Sequence, residues 1–179
     1  MDSPEARVIY EAHLGYVWNA LRRLGIPDRD REDLCHDVFL AFFRGKRYDR
    51  ARPLRPWLFG IAFRVASDHR RRARFRNEIP TGDDRGVAGG LPADDALAQK
   101  EARRVVEHAL DALDLDQRAV FILHELDGLA MPEIARTLDA PLNTLYSRLR
   151  LGRRKFAAAV GRASGDGGGV LRAAGGGAR

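Results

Sequence analysis

A single cysteine, Cys35, in 179 residues excludes an intrachain disulfide and any zinc site built on cysteine thiolates. Catalytic patterns are equally scarce. Cys35-His36-Asp37 sets a thiol, an imidazole and a carboxylate in a row, but neighbours on a helix diverge by about 100° each and cannot converge on one reacting atom. His124-Glu125 lacks the second histidine of a zinc-protease helix. The glycines at 86–90 and 165–169 are not followed by the Lys-Ser/Thr pair of a phosphate loop. No apolar run is long enough for a membrane span, and Met1-Asp-Ser-Pro-Glu5 has neither the basic nor the apolar region of a signal peptide. These absences predict a cytoplasmic protein with no membrane insertion, no metal, no cofactor and no catalysis of its own. Strand signals are missing too, since β-branched residues are sparse and apolar–polar alternation is absent. The expected fold is all-α.

What is present is a succession of helical patterns. Ile9 or Tyr10, with Leu14, Val17, Trp18, Leu21 and Leu24, share one side of a helix over about 5–25, which Gly25-Ile-Pro27-Asp28 ends. Leu34, Val38, Phe39 and Phe42 mark a second over 30–45. After an irregular basic loop, Pro56 suits the first turn of a third helix that runs to about 76 and buries Trp57, Leu58, Ile61, Ala62, Val65 and Ala66. Residues 77–96 hold four glycines, two prolines and five acids, too little to build a core, and predict a flexible linker. Helices come next at 97–113 and 115–126, the latter with Asp114 and Gln117 spaced as a capping box. Of the nineteen residues at 161–179, eight are glycine, which predicts a disordered tail. The chain thus reads as two small helical domains, 1–76 and 97–160, joined by the linker 77–96. At ~3.3–3.6 Å per residue that linker reaches at most ~70 Å, about two turns of duplex DNA at ~34–36 Å each.

Residues 128–156 are the most specific stretch. Leu129, Ile134, Ala135 and Leu138 form an apolar stripe, Asp139-Ala140-Pro141 breaks it, and Leu142, Leu145, Leu149 and Phe156 line one side of the helix beyond. The other side carries Asn143, Thr144, Tyr146, Ser147, Arg148, Arg150, Arg153, Arg154 and Lys155. Five cations and no acid lie within 141–156, where a merely solvated face mixes signs. This is a helix-turn-helix pattern whose second helix suits the major groove. A net charge of +6 favours a polyanionic partner, and its distribution says more. A second basic cluster holds Arg64, Arg70, Arg71, Arg72, Arg74 and Arg76 against Asp68 alone. Acids gather instead at Asp28, Asp30, Glu32, Asp33 and Asp37. Two basic patches and one acidic face suggest two contacts with nucleic acid and one with protein. Phe59 is the best candidate to stack on an unpaired base, and Arg64, Arg71 and Arg72 to hold phosphate. Trp57 and Phe63 fit the core better.

Arg31-Glu-Asp-Leu-Cys-His-Asp-Val-Phe-Leu40, followed by Arg55-Pro-Trp-Leu-Phe-Gly-Ile-Ala62, resembles region 2 of a sigma-70-family initiation factor. Leu113-Asp-Leu-Asp-Gln-Arg-Ala-Val-Phe-Ile-Leu-His-Glu-Leu-Asp-Gly-Leu129, continuing through Arg154, resembles region 4. The two regions alone, with no region 1.1, 1.2 or 3, resemble the extracytoplasmic-function group. The resemblance implies a protein that binds core RNA polymerase, recognises −35 and −10 promoter elements and aids strand opening. Asp33, His36, Asp37, Leu40 and Arg44 would meet the coiled coil of the polymerase β′ subunit, and region 4 its β flap. Arg50, Arg52, Arg55, Phe59, Arg64, Ser67, Asp68, Arg71 and Arg72 would read and hold the −10 element. Asn143, Thr144, Tyr146, Ser147, Arg148, Arg150 and Arg153 would read the −35 duplex. An anti-sigma factor is implied as a further partner, although no residue here demands one. The chain departs from the family pattern in three places. His36 stands for the usual glutamine, Ala130 for the usual capping serine, and Asn143-Thr144-Leu145-Tyr146 for Gly-Thr-Val and a basic residue. Two other readings compete. A repressor or activator with an effector domain would need a concave apolar pocket. A nucleic-acid-modifying enzyme would need a catalytic constellation, and none is found.

Overall fold

A computed structural model describes residues 4–45, 48, 53–75 and 93–172. Seven α-helices and no strand occur among the described residues: α1 Pro4–Arg23, α2 Asp28–Arg44, α3 Leu54–Phe75, α4 Ala93–Asp111, α5 Leu115–Phe121, α6 Met131–Leu138 and α7 Leu142–Arg172. Most of the predicted linker, 77–92, and the last residues, 173–179, lie outside the described residues. Helix α4 opens at Ala93, earlier than the glycines and prolines suggested, where Ala93, Ala96 and Ala98 supply strong helix formers. Helix α7 likewise continues past Val160 to Arg172, into the glycine-rich stretch expected to lack structure. Extending an existing helix fixes one residue per hydrogen bond, which costs far less than nucleating a new one.

The first module is α1, α2 and α3, each packed on the other two. Val17, Leu21 and Leu24 of the first helical segment meet Leu34, Val38 and Phe39 of α2 and Leu58, Ala62 and Ala66 of α3 in a buried core. Trp18 lies at its edge with the Arg31 guanidinium 5.1 Å from its ring centre. The second module sets α4, α5 and α6 against α7, through Leu110, Leu113, Val120, Phe121, Leu123, Ile134, Leu145 and Leu149. Phe121 and Phe156 stack at 4.5 Å. Burying each of these leucines and phenylalanines contributes roughly 1.5–3 kcal/mol.

Two local features shape the second module. The Asp114 carboxylate accepts from the Gln117 N–H at 2.9 Å and caps α5 as the sequence suggested. The single helix expected over 115–126 then changes character, because Ile122–Leu126 forms a π-helical turn closed by Asp127 N–H donating to the Ile122 carbonyl. Within this turn Glu125 meets Arg153, and just beyond it Asp127 meets Arg23 at the end of α1. Helix α6 begins with half a capping box: the Glu133 carboxylate accepts from the Ala130 N–H at 3.2 Å, but alanine has no side-chain acceptor to return. Ala130→Ser should therefore stabilise the protein by about 1 kcal/mol, read as a shift of the urea midpoint at unchanged slope. No shift would mean that water already satisfies the donor.

The modules touch. Buried apolar residues of both form one contiguous cluster, and α3 packs on α6. Leu58, Phe59, Gly60, Ile61 and Ala62 are all buried, so this turn of α3 is covered on every side, by α1 and α2 beneath and α6 above.

Candidate nucleic-acid interface

The helix-turn-helix is built from α6, a three-residue turn and α7. Asp139 ends α6 in the left-handed region (φ 51°), and Ala140 N–H donates to the Ala135 carbonyl at 3.2 Å. The Pro141 carbonyl then accepts from the Leu145 N–H at 3.1 Å as α7 begins. Leu145 and Leu149 are buried, which points the opposite side of α7 at solvent. Asn143, Ser147, Arg150 and Arg154 share that outward side at helical spacing, flanked by Thr144 and by Tyr146, the latter 55% exposed. An open cleft of about 630 Å³ runs along it, lined by Tyr146, Leu149, Arg150, Arg153 and Arg154.

The cations of α7 are not equivalent. Arg148 lies on the flank, donating to Asp116 of α5 at 2.7 Å. Arg153 donates to Glu125 at 2.7 Å, and Lys155 reaches Asp114 at 3.5 Å. Counting charges within α7 hid these acids, which come from other elements. Arg154, which the resemblance did not single out, stands with Arg150 on the outward side. The spacing 143, 147, 150, 154 carries that signal in the sequence.

On the first module the basic cluster divides in the same way. Arg64 and Arg72 are exposed on α3, Ser67 is half-buried, and Arg71 pairs with Asp68 at 2.9 Å. Arg55 is exposed, its guanidinium 5.4 Å from the Tyr16 ring centre. Arg50 and Arg52 lie outside the described residues. Phe59 corrects the stacking expectation: it is 1% exposed, because the turn of α3 that carries it is enclosed from both sides, and no base reaches its ring here. Trp57 and Phe63 are half-buried against the core. Arg70 belongs to a different task, donating to the Leu24 carbonyl at 2.9 Å.

The acidic helix α2 presents Glu32, Asp33, His36 and Asp37 to solvent, with Arg44 exposed and Leu40 half-buried at its end. Cys35 points inward, and burial pushes its thiol up to about 11, so it is no nucleophile. Among the described residues no group of acids, histidines and cysteine forms a metal cluster, and no helix is long and apolar enough to cross a membrane.

Between the modules lies a polar cluster that the sequence did not reveal. Asp127 accepts from Tyr16 Oη at 3.4 Å and from Arg23 at 3.3 Å, and Arg22 pairs with Glu107 at 3.3 Å. Arg118, 3% exposed, reaches Asp111 at 3.1 Å, and burial lowers its guanidinium to about 10, which keeps it charged at neutral pH. Burial pushes the Asp127 carboxyl up, against the opposing pull of Arg23. A carboxyl raised above its ordinary 3.8 adds stability in full only below that value and loses it as pH climbs through the folded pKa. At neutral pH the charge on Asp127 is thus a net cost. Asp127→Asn should raise the thermal midpoint at pH 7, with the gain fading toward pH 4; a lower midpoint at pH 7 would contradict this.

Two helical modules, one ending in an outward-facing recognition helix and the other carrying an arginine-rich helix beside an acidic one, define a DNA-binding protein with a protein partner. Residues 9–76 match Sigma-70 region 2, and residues 103–156 match Sigma-70, region 4. SigL of Mycobacterium tuberculosis, an ECF RNA polymerase sigma factor, is 31% identical over 145 residues, 80% of this chain and 81% of that protein. The RNA polymerase sigma factor CnrH of Cupriavidus metallidurans is 31% identical over 149 residues, 78% of each chain. The structure of CnrH in complex with the cytosolic domain of CnrY superposes with a TM-score of 0.58 at 25% identity, over 86% of this chain and 85% of that one. For the fold alone, RpoE in complex with the anti-sigma factor NepR from Bartonella quintana gives 0.63 at 21% identity, over 88% and 98%. The chain belongs to the sigma-70 family, among its ECF RNA polymerase sigma factors, and its role is in transcription initiation.

Proposed function

We propose that the protein binds core RNA polymerase, delivers it to promoters bearing −35 and −10 elements, and aids strand opening there. The polymerase performs the chemistry, so the protein is not an enzyme, and it works in the cytoplasm. The observation that supports this most is the division of charge: an exposed acidic helix on the first module and an outward set of amide, hydroxyl and guanidinium groups on α7 of the second.

Asp33 and Asp37, with His36, Leu40 and Arg44, dock on basic residues of the polymerase β′ coiled coil, and the second module meets the β flap. Asn143, Ser147, Arg150 and Arg154 enter the major groove of the −35 element, with Thr144 and Tyr146 at its edges. Arg153, tethered by Glu125, contacts the phosphates beside it. Arg64, Ser67, Arg71 and Arg72, with Arg50, Arg52 and Arg55 before them, hold the −10 region. Asp68 fixes Arg71 for that contact. The anti-sigma factor NepR bound to RpoE, and the cytosolic domain of CnrY bound to CnrH, support an anti-sigma partner for this chain.

The test is reconstitution. Purified protein added to core polymerase should give transcripts from a subset of a randomised two-element promoter library. Core that stays inactive on every template would overturn the proposal.

A further inference from the structure

The five cations near the start of α7 fall into two sets. Arg148, Arg153 and Lys155 each meet a carboxylate from another element: Asp116 at 2.7 Å, Glu125 at 2.6 Å and Asp114 at 3.5 Å. Arg150 and Arg154 meet no acid among the described residues. The division follows helix geometry. At about 100° per residue, Arg154 lies within ~40° of Arg150 on the outward side. Arg153 turns ~60° to one flank, and Arg148 and Lys155 turn ~140–160° to the other. The acids come from the two ends of a segment that packs against α7, Asp114 and Asp116 at the start of α5 and Glu125 in the π-helical turn after it. Glu125 holds its partner closely, with Oε1 2.7 Å from Nε and 2.6 Å from Nη2 of Arg153.

A helix ~10–12 Å across fills a major groove ~12 Å wide, with base edges beneath its outward side and a phosphate backbone along each flank. Cations on the flanks would grip phosphate, which is alike in every sequence, whereas groups on the outward side meet bases. Here the flanks carry neutral pairs and the outward side keeps its charge. Resting on the function proposed above, we infer that Asp116 and Glu125 are specificity-determining residues, which offset the flank cations so that sequence-independent DNA binding stays weak. Arg153 keeps its direction toward phosphate, but as half of a neutral pair. Discrimination then rests on Asn143, Ser147, Arg150 and Arg154, the groups that face the base edges.

Asp116→Asn and Glu125→Gln test this, singly and together. Each keeps the side chain's shape and removes one charge from a partly exposed pair, whose loss costs the fold little. Asp114 is left in place because it caps α5. Fluorescence anisotropy of the full chain is read on a scrambled duplex and on a −35 duplex chosen from the promoter library, over a range of salt. On the scrambled duplex each variant should bind about five- to tenfold more tightly at about 0.1 M salt, with the slope of log K against log salt steeper by ~0.9 per released cation. On the chosen duplex the gain should stay below about twofold, because a helix seated on base edges cannot shift to bring a released cation onto phosphate. Discrimination between the duplexes therefore falls. Asp116→Asn added to Arg148→Ala should gain nothing over Arg148→Ala, which separates release of that arginine from a change of net charge. Glu11→Gln makes the same charge change at the exposed Arg7 pair of α1 and should leave binding to both duplexes within about twofold of wild type. Unchanged binding to the scrambled duplex, an equal gain on both duplexes, a matching gain from Glu11→Gln, or a gain that survives Arg148→Ala would each overturn the inference. Weaker scrambled binding by Glu125→Gln would overturn it too, showing that Glu125 only aims Arg153. The scrambled duplex needs no promoter, so it judges the two acids even where wild type with core enzyme yields no transcripts, the result that defeats the proposed function.

Discussion

Arg150→Ala should weaken binding to a −35 duplex by about five- to 150-fold, the loss expected when one bidentate or closely placed guanidinium contact of ~1–3 kcal/mol disappears. Arg148→Ala should change the same affinity by no more than about twofold. The two residues carry the same charge two positions apart and look alike in a one-dimensional reading. Their helix separates them: Arg150 shares the outward side with Asn143, Ser147 and Arg154, while Arg148 is tied to Asp116 on the flank. Removing Arg148 therefore strips a partly exposed ion pair, which contributes at most ~1 kcal/mol to the module and little to DNA contact. Fluorescence anisotropy with cognate and scrambled duplexes separates the roles of Arg150 itself. If it reads a base edge, the loss falls on the cognate duplex; if it holds phosphate, both weaken and the slope of log K against log salt shrinks by about 0.9. Equal losses for Arg148→Ala and Arg150→Ala would show that the outward side has been assigned to the wrong face.

The contrast marks what was legible in the chain. Periodicity placed seven helices and the turn at Asp139-Ala140-Pro141, because burial at 3.6-residue spacing is a local property of sequence. It also placed Leu145 and Leu149 inward, and hence the exposed side of α7. What depended on a second element stayed hidden. Asp114, Asp116 and Glu125 neutralise cations 28 to 41 residues away, a pairing that no count within α7 reveals. Phe59 reads as surface only if its helix has one covered side, and it has two. The run Leu58-Phe59-Gly60-Ile61-Ala62, with no polar residue in a full turn, was the available sign of a second cover. The π-helical turn had no signature at all, since Ile122-Leu-His-Glu-Leu126 satisfies an α-helical pattern equally well. His36 is exposed on the acidic helix.

Two glycines, one inside α1 and one just past its end, give the sharpest energetic contrast. Gly25→Ala should destabilise the protein by about 2–4 kcal/mol, whereas Gly15→Ala should stabilise it by ~0.5–1 kcal/mol. Gly15 sits mid-helix on an exposed side with open space around it, so alanine gains helix propensity and meets nothing. Gly25 closes α1 in the left-handed region at φ 81°, with its N–H donating to the Arg22 carbonyl at 2.9 Å and Ile26 N–H to the Leu21 carbonyl at 3.0 Å. That is the double hydrogen bond that lets a glycine end a helix, and an L side chain there costs ~1–2 kcal/mol. The remainder comes from the arginines packed against this turn. A methyl group on Gly25 collides with the guanidinium groups of Arg118 and Arg70, and displacing Arg70 breaks its bond to the Leu24 carbonyl. The sequence Gly25-Ile-Pro27-Asp28 announces the end of the helix but not the arginines resting on it. Thermal unfolding distinguishes the two contributions: Gly25→Ala should lower the midpoint by about 5–15 °C in the full chain. Adding Arg118→Met, whose shorter and uncharged side chain can yield, should restore part of that loss but not the left-handed share. A midpoint for Gly25→Ala within a degree of wild type would mean that the two modules do not rest on each other at this turn.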